Sequence, residues 1–474
     1  MTARAALALA GALLAGCAAP QAIAPAPSPS PSATIAAFDG ARAKAHVDYL
    51  ADPARGGRYS GSAGYNDAAR YVADRFREIG LEPLGDNGTY FQRFTMPNVE
   101  LAAMPILRRV GPDAKDYRPR VDFTESVSGR AGSGAAEAPI AVVGGAARGS
   151  GQDDFAGVSA RGKVALVTGP GVPGQSAVEN AFQQGAVAVL AIGATDIRYS
   201  YLPRFQPVTI PVLVITESVA NELLAPSGKQ VSEVQAAYRA RRASPSAPEA
   251  GFDLPTTVRV SVALTPVHDV DAMNVVGLLR APNDDGARRA VLVGGHLDGV
   301  GTDPDGSVFR AANDNASGPA ITIEAARALA AGRSSLVHSI VFVAFAGEEE
   351  GFFGSEAYIG QTATSPGRVE SLIAMIDLDV IGCCGDTLII SNEATELQAR
   401  VMDAAKRLGI ASRSIGGGGS DETSFARRHV PSVFVGWSDY ILHTYKDVPE
   451  VVDISHLQRA GDVVTTVTRE LATD

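Results

Sequence analysis

The C-terminal half of the chain contains five short motifs with side chains that bind metal ions. They are His-Leu-Asp at 296–298, Asn-Asp-Asn-Ala-Ser-Gly at 313–318, Glu-Glu at 348–349, Leu-Asp at 378–379 and His-Thr-Tyr-Lys-Asp at 443–447. Imidazole nitrogens and carboxylate oxygens are zinc ligands, and in sites with two ions one carboxylate can bridge them. One glutamate, Glu348, is then left to act as a base. Such a set could activate a water molecule to hydrolyse a peptide bond.

Each motif also has an ordinary structural explanation. A lone histidine after a strand is usually structural, and Asp314 could simply cap the helix that follows it. Glu348 and Glu349 could belong to an exposed acidic loop, because Glu350 continues the run. We interpret the motifs together because all of them lie at or just after the ends of predicted strands.

Two aspartates are better placed to orient the histidines than to bind metal themselves. Asp298 follows His296 by two positions, and Asp447 follows His443 by four. A carboxylate that accepts the far ring N–H of a metal-bound histidine fixes its tautomer and raises its basicity. We therefore predict these two pairings, although Asp447 could equally form a surface pair with Lys446.

Strand–helix alternation from about residue 258 predicts an α/β fold with a mostly parallel, doubly wound sheet flanked by helices. Predicted strands are 290–294, 339–344, 372–378, 387–390 and 432–435, and predicted helices are 318–331, 393–408, 423–428 and 454–471. In such sheets ligands bind at the carboxyl ends of the strands. Asp379 ends one apolar strand, where a carboxylate needs a cation or hydrogen-bond donors, and Asp377 is given no metal role.

The preceding region divides into two parts. Apolar residues at helical spacing predict helices over 41–50 and 63–81, the second ending at Gly80. From 110 to 250, with a core at about 130–235, short apolar strands and Gly-rich turns indicate an inserted β-rich domain. Its predicted strands are 140–143, 163–167, 187–192 and 212–215, its helix is 176–184, and a linker follows at 238–250. We therefore predict one peptidase-like domain formed by 36–109 and 251–474, interrupted by this insert.

The N-terminus resembles a bacterial lipoprotein signal. An Arg at position 4 precedes an apolar run, 5–15, that is too short to span a bilayer, and the segment 1–17 ends in Leu-Ala-Gly-Cys. Cys17 would then carry the lipid, and the Ala/Pro/Ser-rich segment 18–35 would be a linker. Cleavage at a small residue without lipid is the alternative. The expected location is the bacterial cell envelope, with membrane attachment through the N-terminal lipid only.

The net charge bears on possible partners, and the cysteine content bears on possible disulfides. The 474-residue chain has a net charge of -11 and no basic stripe, which excludes nucleic acid as an expected partner. Apart from Cys17 its cysteines are the adjacent Cys383 and Cys384. An oxidising compartment would permit a disulfide between them, and two free thiols are the other option.

Taken together, the motifs resemble those of the M28 family of co-catalytic zinc peptidases, over about 36–105 and 258–474. The resemblance implies two Zn2+ ions per chain, a cis peptide bond between Asp314 and Asn315, and Glu348 as general base. The implied ligands are His296, Asp314 and Asp379 for one ion, and Asp314, Glu349 and His443 for the other. The insert resembles a protease-associated domain, notably at Asn-Ala-Phe-Gln-Gln-Gly-Ala, 180–186.

The chain departs from the family pattern at two positions. Glu422 stands where a histidine is common. Some relatives have a tyrosine directly before the last ligand histidine to polarise the scissile carbonyl, but this chain has Leu442 there. Tyr440 or Tyr445 could substitute for it.

The resemblance favours an aminopeptidase acting on peptide substrates. A carboxypeptidase or dipeptidase on the same site would need cationic groups for the substrate carboxylate, for which Arg204, Arg310 and Arg413 are candidates. A non-catalytic binding protein would lack a ligand or the base, whereas all six residues are present. A protein partner of the insert is not specified by the sequence.

Overall fold

The structure is a computed structural model that describes residues 37–149, 152–170, 174–203, 205–244, 246–284, 289–360 and 368–474. The predicted signal segment, Cys17 and the linker 18–35 lie outside these ranges. Among the helices that the structure describes, none is long and apolar enough to cross a membrane.

Nine strands of the described chain form the larger sheet. Their order is Glu82–Pro83, His268–Leu279, Ser339–Phe345, Ala290–His296, Leu372–Leu378, Ser432–Trp437, Leu388–Ser391 and Ser412–Ile415, with Phe91–Asn98 also paired to His268–Leu279. The four strands from Ser339–Phe345 to Ser432–Trp437 are parallel, and antiparallel pairs occur toward both edges. The predicted α/β class is confirmed, with the parallel arrangement concentrated at the centre.

Helices cover both faces of this sheet. They are Gly40–Leu50, Ala63–Ile79, Ser317–Ala330, Phe353–Gly360, Thr395–Arg407, Glu422–Ala426 and Ile454–Thr473. Val291 and Val293 pack into one hydrophobic cluster and Leu292 into another, as expected for a strand buried on both faces. The predicted helix end at Gly80 is confirmed, because this residue adopts φ 86°.

Eight strands of the described chain form the second sheet. Their order is Lys115–Asp116, Leu101–Val110, Phe252–Leu264, Gly134–Val142, Val164–Pro170, Ala188–Ile192, Val212–Ile215 and Phe123–Glu125. The four strands from Gly134–Val142 to Val212–Ile215 are parallel and match the predicted ones, and the helix Gln175–Gln183 lies between the second and third of them. Two small ladders pair Gly129–Ala131 with Phe205–Ile210 and Arg148–Gly149 with Gln152–Asp153.

The prediction of a linker at 238–250 is wrong in its first part. The helix Val231–Ala243 follows the helix Glu217–Leu224 and extends into this segment. Tyr238 is buried on it, and its hydroxyl donates a hydrogen bond of 3.0 Å to the carbonyl of Val142. This hydrogen bond anchors the helix to the sheet. The Ala- and Arg-rich composition of the segment does not distinguish such a helix from a linker.

Candidate metal centre

The predicted ligands come from five different segments at the carboxyl edge of the larger sheet. His296 ends a central strand, and Asp379 directly follows the strand Leu372–Leu378. Glu349 lies in the turn after Ser339–Phe345. Asp314 precedes the helix Ser317–Ala330, and His443 follows the strand Ser432–Trp437. We call these five residues the ligand cluster.

Within the ligand cluster, Asp314 lies between the two histidines. Its Oδ1 is 3.3 Å from His296 Nε2, and its Oδ2 is 3.0 Å from His443 Nε2. His296 Nε2 is also 3.3 Å from Asp379 Oδ1, and His443 Nε2 is 3.0 Å from Glu349 Oε2. Besides His296–Glu348–Glu349, the donor atoms at this site form two groups, His296–Asp314–Asp379 and Asp314–Glu349–His443, and in each group the atoms lie within 4.8 Å of one another. These groups are the two ligand sets that the resemblance implies.

Glu348 lies beside the ligand cluster, with its Oε2 3.9 Å from His296 Nε2. Burial, together with repulsion from Glu349 and Asp379, raises the pKa of the Glu348 carboxyl well above its ordinary value. Burial lowers the pKa of His296, but the carboxylates of Asp379 and Glu348 outweigh it and raise this pKa well above the ordinary value. Without a cation, Glu348 and His296 therefore favour their protonated forms, and a metal ion would displace such protons.

The residues of the ligand cluster fit zinc. The Oε1 atom of Glu349 is buried and has no hydrogen-bond partner among the described residues. A buried carboxylate oxygen without a donor is costly unless it binds a cation. Imidazole nitrogens and carboxylate oxygens are also the donor types that zinc prefers.

Asp314 is held by the loop in which it lies. The peptide bond between Asp314 and Asn315 is cis, as the resemblance implies. Asn315 Nδ2 donates a hydrogen bond of 2.8 Å to the carbonyl of Leu378, and its Oδ1 accepts one of 2.7 Å from the Gly318 N–H. The position of Asp314 is thereby tied to the strand that leads to Asp379.

Asp447 has a different partner from the predicted one. Its Oδ1 accepts a hydrogen bond of 2.6 Å from the Asn313 N–H, and its Oδ2 accepts one of 3.0 Å from the Asp314 N–H. His443 has φ 55°, so the backbone from His443 to Asp447 does not start as a helical turn, in which side chains four residues apart would share a face. Asp447 therefore supports the loop of Asp314 instead of the His443 ring.

Asp298 lies near the ring that it was predicted to orient. Its Oδ1 is 3.7 Å from His296 Nδ1, which is longer than a hydrogen bond. Its Oδ2 accepts a hydrogen bond of 3.1 Å from the Glu349 N–H. Asp298 thus lies beside the histidine of one ligand set and is hydrogen-bonded to the glutamate of the other.

The structure does not support a tyrosine as the carbonyl polariser. The Tyr440 side chain is 78% exposed and does not line the cavity at the ligand cluster. The Tyr445 hydroxyl donates a hydrogen bond of 2.6 Å to Asp303 Oδ2. In this structure one side chain points to solvent and the other is engaged by Asp303, so neither is placed to act on a carbonyl at the ligand cluster.

Glu422 is buried and turned away from the ligand cluster. Its carboxylate accepts hydrogen bonds from the N–H groups of Gly419 and Ser420, at 2.9 and 3.1 Å. Its own N–H donates to Asp377 Oδ2 at 3.0 Å. The glutamate thus holds the Gly-rich loop at 416–421, a structural role in place of the family's usual histidine.

Two residues at the site were missed by sequence reasoning. Asp439 Oδ2 accepts a hydrogen bond of 2.5 Å from Asn313 Nδ2, and its position just after the strand Ser432–Trp437 could have identified it. Ser200, which lies between two strands of the predicted insert, donates a hydrogen bond of 2.7 Å to Glu349 Oε2. Nothing in its sequence context signals this contact.

Near Asp439, Cys383 and Cys384 are joined by a disulfide. The structure thus has the first of the two options that the sequence left open.

The mixed α/β fold, with these histidines and carboxylates gathered at its strand ends, defines the zinc exopeptidase class of proteins. Residues 274–468 match the model of peptidase family M28. This match covers the segment that carries all five residues of the ligand cluster, and it supports a zinc peptidase of the M28 type.

Individual relatives agree with this assignment. Aminopeptidase YwaD of Bacillus subtilis (strain 168) is 25% identical over 341 residues, which cover 67% of this chain and 64% of the relative. Endoplasmic reticulum metallopeptidase 1 of Rattus norvegicus is 30% identical over 202 residues, which cover 40% of this chain and 21% of that protein. The chain therefore spans less than two thirds of the length of either relative.

Solved structures show the same fold. An aminopeptidase from Aneurinibacillus sp. strain AM-1 superposes with a TM-score of 0.65 at 21% identity, covering 92% of this chain and 94% of that one. A zinc aminopeptidase from Bacillus subtilis gives a TM-score of 0.64 at 23% identity, covering 92% and 96%. Matches that cover 92% of this chain extend over most of the described architecture.

Proposed function

We propose that this chain is a two-zinc aminopeptidase that releases apolar N-terminal residues from peptides. The observation that carries the proposal is the lining of the cavity at the ligand cluster, which has a volume of about 400 Å³. Its acidic residues are Asp314, Glu348, Glu349, Asp379 and Asp439, and none of its described lining residues is an arginine or a lysine. Such a surface attracts a substrate ammonium group and repels a carboxylate.

One zinc ion would be held by His296, Asp314 and Asp379, and the other by Asp314, Glu349 and His443. When bound, zinc lowers the pKa of water and polarises a carbonyl oxygen. Asp314 supports both sites because its two oxygens face different histidines. The carboxylates of Asp298 and Asp447 hold the backbone of Glu349 and Asp314 in place.

Glu348 is the general base in this proposal. Its carboxylate lies within the cavity and next to the ligand cluster without belonging to either ligand set. Two cations nearby would offset the burial that favours its protonated form, so that the carboxylate is available to take a proton from the attacking water. The same group can then deliver that proton to the leaving amine.

The arginines suggested for a carboxypeptidase do not favour that alternative. Arg310 donates to the carbonyl of Ala51 at 2.9 Å, and Arg413 donates to Ser438 at 3.3 Å. Neither lines the cavity at the ligand cluster, and Arg204 lies outside the described residues. Arg427 lines an adjacent cavity of about 740 Å³, but it is paired with Glu356 at 3.5 Å.

The preference for apolar residues follows from the apolar part of the cavity lining, here called the apolar wall. That wall consists of apolar side chains from the neighbouring strands and loops: Ile389, Ile415, Phe434, Trp437 and Leu442. An apolar side chain buried there would gain about 25 cal/mol for each Å² removed from water.

Zinc content and substrate choice test the proposal together. We expect about two zinc ions per purified chain, with cleavage of Leu-p-nitroanilide but not of an N-blocked dipeptide with a free carboxylate. Cleavage of the blocked dipeptide alone would move the assignment to a carboxypeptidase. Absence of zinc after reconstitution, together with no cleavage, would favour a binding protein.

A further inference from the structure

The segment 193–203, here called the insert loop, lies between the strands Ala188–Ile192 and Phe205–Ile210. It contacts the ligand cluster. Ser200 on this loop donates a hydrogen bond of 2.7 Å from Oγ to Glu349 Oε2. The same carboxylate oxygen lies 3.0 Å from His443 Nε2. Ser200 also lines both cavities that flank Glu348 and Glu349. The insert therefore contributes a side chain to the site, although its sequence contains no cluster of metal-binding residues.

A second contact joins the insert loop to the backbone of His443. The Arg198 N–H donates a hydrogen bond of 3.0 Å to the His443 carbonyl, and Ile197 forms an antiparallel bridge with Thr444. His443 has a φ of 55°, a region that residues other than glycine adopt infrequently. The insert loop thus holds the histidine in a backbone conformation that an isolated loop would seldom keep.

Buried charged groups anchor the insert loop. Arg120 donates to both oxygens of Asp303, at 2.9 and 2.8 Å, and to Glu125 Oε1 at 2.9 Å. Tyr201, next to Ser200, also donates to Glu125 Oε1. Asp303 in turn accepts a hydrogen bond from Tyr445, two residues after His443. Because removing one partner from a buried charged network is costly, these contacts keep the insert loop against the segment of His443.

We propose that Ser200 is a positioning residue for Glu349 and that the insert loop completes one of the two metal sites. The hydrogen bond from Ser200 fixes Oε2, the oxygen that lies 3.0 Å from His443 Nε2, and so orients the carboxylate within its ligand set. Donors that orient a ligand carboxylate tune the affinity of the site. The inference rests on the proposed metal centre and assigns the insert a role within it.

The contacts of the insert loop are unequal between the two ligand sets. Glu349 and His443 belong to one set, and both contact the insert loop. No hydrogen bond of the described residues joins the insert loop to His296 or Asp379. Loss of the Ser200 hydroxyl should therefore lower the affinity for one zinc ion and leave the affinity for the other unchanged.

Zinc titration of the full chain against a chromophoric chelator tests this asymmetry. In Ser200→Ala we expect one of the two zinc ions to bind about 10–100-fold more weakly, the usual effect of removing a group that orients a ligand. Ser200→Thr keeps the hydroxyl and should restore the affinity. Ser128→Ala is the matched control, because Ser128 lines the adjacent cavity and contacts Gln175 at 3.2 Å but not Glu349. Equal thermal unfolding of the metal-free proteins would show that all variants fold alike.

Two results would overturn the inference in different ways. Wild-type affinity for both ions in Ser200→Ala would overturn it alone, and a raised KM in that variant would then make Ser200 a substrate contact. Failure of the wild-type chain itself to bind zinc would overturn the proposed function, and the role of Ser200 with it.

Discussion

The carboxylate of Asp447 accepts a hydrogen bond of 3.0 Å from the backbone N–H of Asp314, the residue between the two histidines. Its other oxygen accepts one of 2.6 Å from the Asn313 N–H. Burial raises the pKa of Asp447 to about 7. Asp447 is therefore a buried acceptor whose two oxygens hold the backbone of Asn313 and Asp314.

Asp447→Asn should weaken zinc binding without abolishing folding. Asparagine keeps one acceptor oxygen but turns an N–H₂ donor toward a backbone N–H that needs an acceptor. An unsatisfied buried N–H costs roughly 1–3 kcal/mol, and we expect zinc affinity to fall about 10–100-fold. Denaturant unfolding and zinc titration measure the two effects. The exposed Asp305→Asn, which can still accept the Ser307 N–H, should change neither, and an unaffected Asp447→Asn would exclude this role.

Glu348→Gln should separate catalysis from metal binding. Glutamine is nearly isosteric but cannot take a proton, and general base catalysis contributes about 10²–10⁴-fold. We expect kcat to fall by that factor while the zinc content stays at the wild-type level. Metal analysis of the protein used for the kinetics checks both parts. Wild-type turnover in this variant would show that another group is the base.

The strand-end logic succeeded because it needs only local information. His296 ends one apolar strand and Asp379 follows another, and these two strands pair in parallel, so their carboxyl ends meet at one edge. The alternation of Val258, Val260 and Val262 with polar residues could likewise have identified the strand Phe252–Leu264.

The contacts that were missed depend on packing between distant segments. Ser200 lies 149 positions before Glu349, and their contact depends on how the insert packs against the larger sheet. The partner of Asp447 was wrong for a related reason. The φ of 55° at His443 changes which side chains share a face, and a histidine at this position does not predict such a backbone conformation.

The metal-free protein should lose stability as pH rises. The folded-state pKa values of His296 and His443 are raised well above 6.5, and that of Glu348 well above 4.5. The folded state thus holds protons that the unfolded state releases above these ordinary values. For each such proton, the unfolding free energy falls by about 1.4 kcal/mol for every unit by which the pH rises, until the pH passes the raised pKa.

Thermal unfolding of chelator-treated protein between pH 5 and 9 measures this dependence. We expect Tm to fall steadily above pH 6.5, and added zinc to remove most of the fall because the ions replace the protons. A Tm that rises over this range without zinc would contradict the protonated state of the metal-free site.

Ile415→Glu should change which N-terminal residues are released. Ile415 lines the apolar wall of the cavity. A carboxylate there would remove an apolar contact and would have to lose water to accommodate an apolar side chain, whereas it would attract a basic one. We expect kcat/KM for leucine substrates to fall about 10–200-fold, the range for lost apolar contacts in a specificity pocket, and that for lysine substrates to rise. Val451→Glu is the matched control, because Val451 is exposed and lies outside the cavity. Equal losses for both substrates would show that Ile415 does not contact the substrate side chain.

Gly57→Ala should destabilise the loop that supports His296. Gly57 has φ 69°, and a Cβ there would lie 2.4 Å from the carbonyl oxygens of both Gly301 and Phe309. The crowding should cost roughly 1–3 kcal/mol, in addition to about 1–2 kcal/mol for the left-handed conformation. Gly80→Ala is the control, because Gly80 has φ 86° with nothing within 4 Å of an added Cβ and should show only the conformational cost.

The consequence of Gly57→Ala should extend to the metal centre. The next residue, Arg58, is fully buried and donates a hydrogen bond of 2.7 Å to the carbonyl of Leu297, directly after His296. A shift of this loop would move that donor, so zinc affinity should fall in Gly57→Ala and remain at the wild-type level in Gly80→Ala. Denaturant unfolding and zinc titration of both variants check the two expectations, and equal stability losses in the pair would show that the loop relaxes without strain.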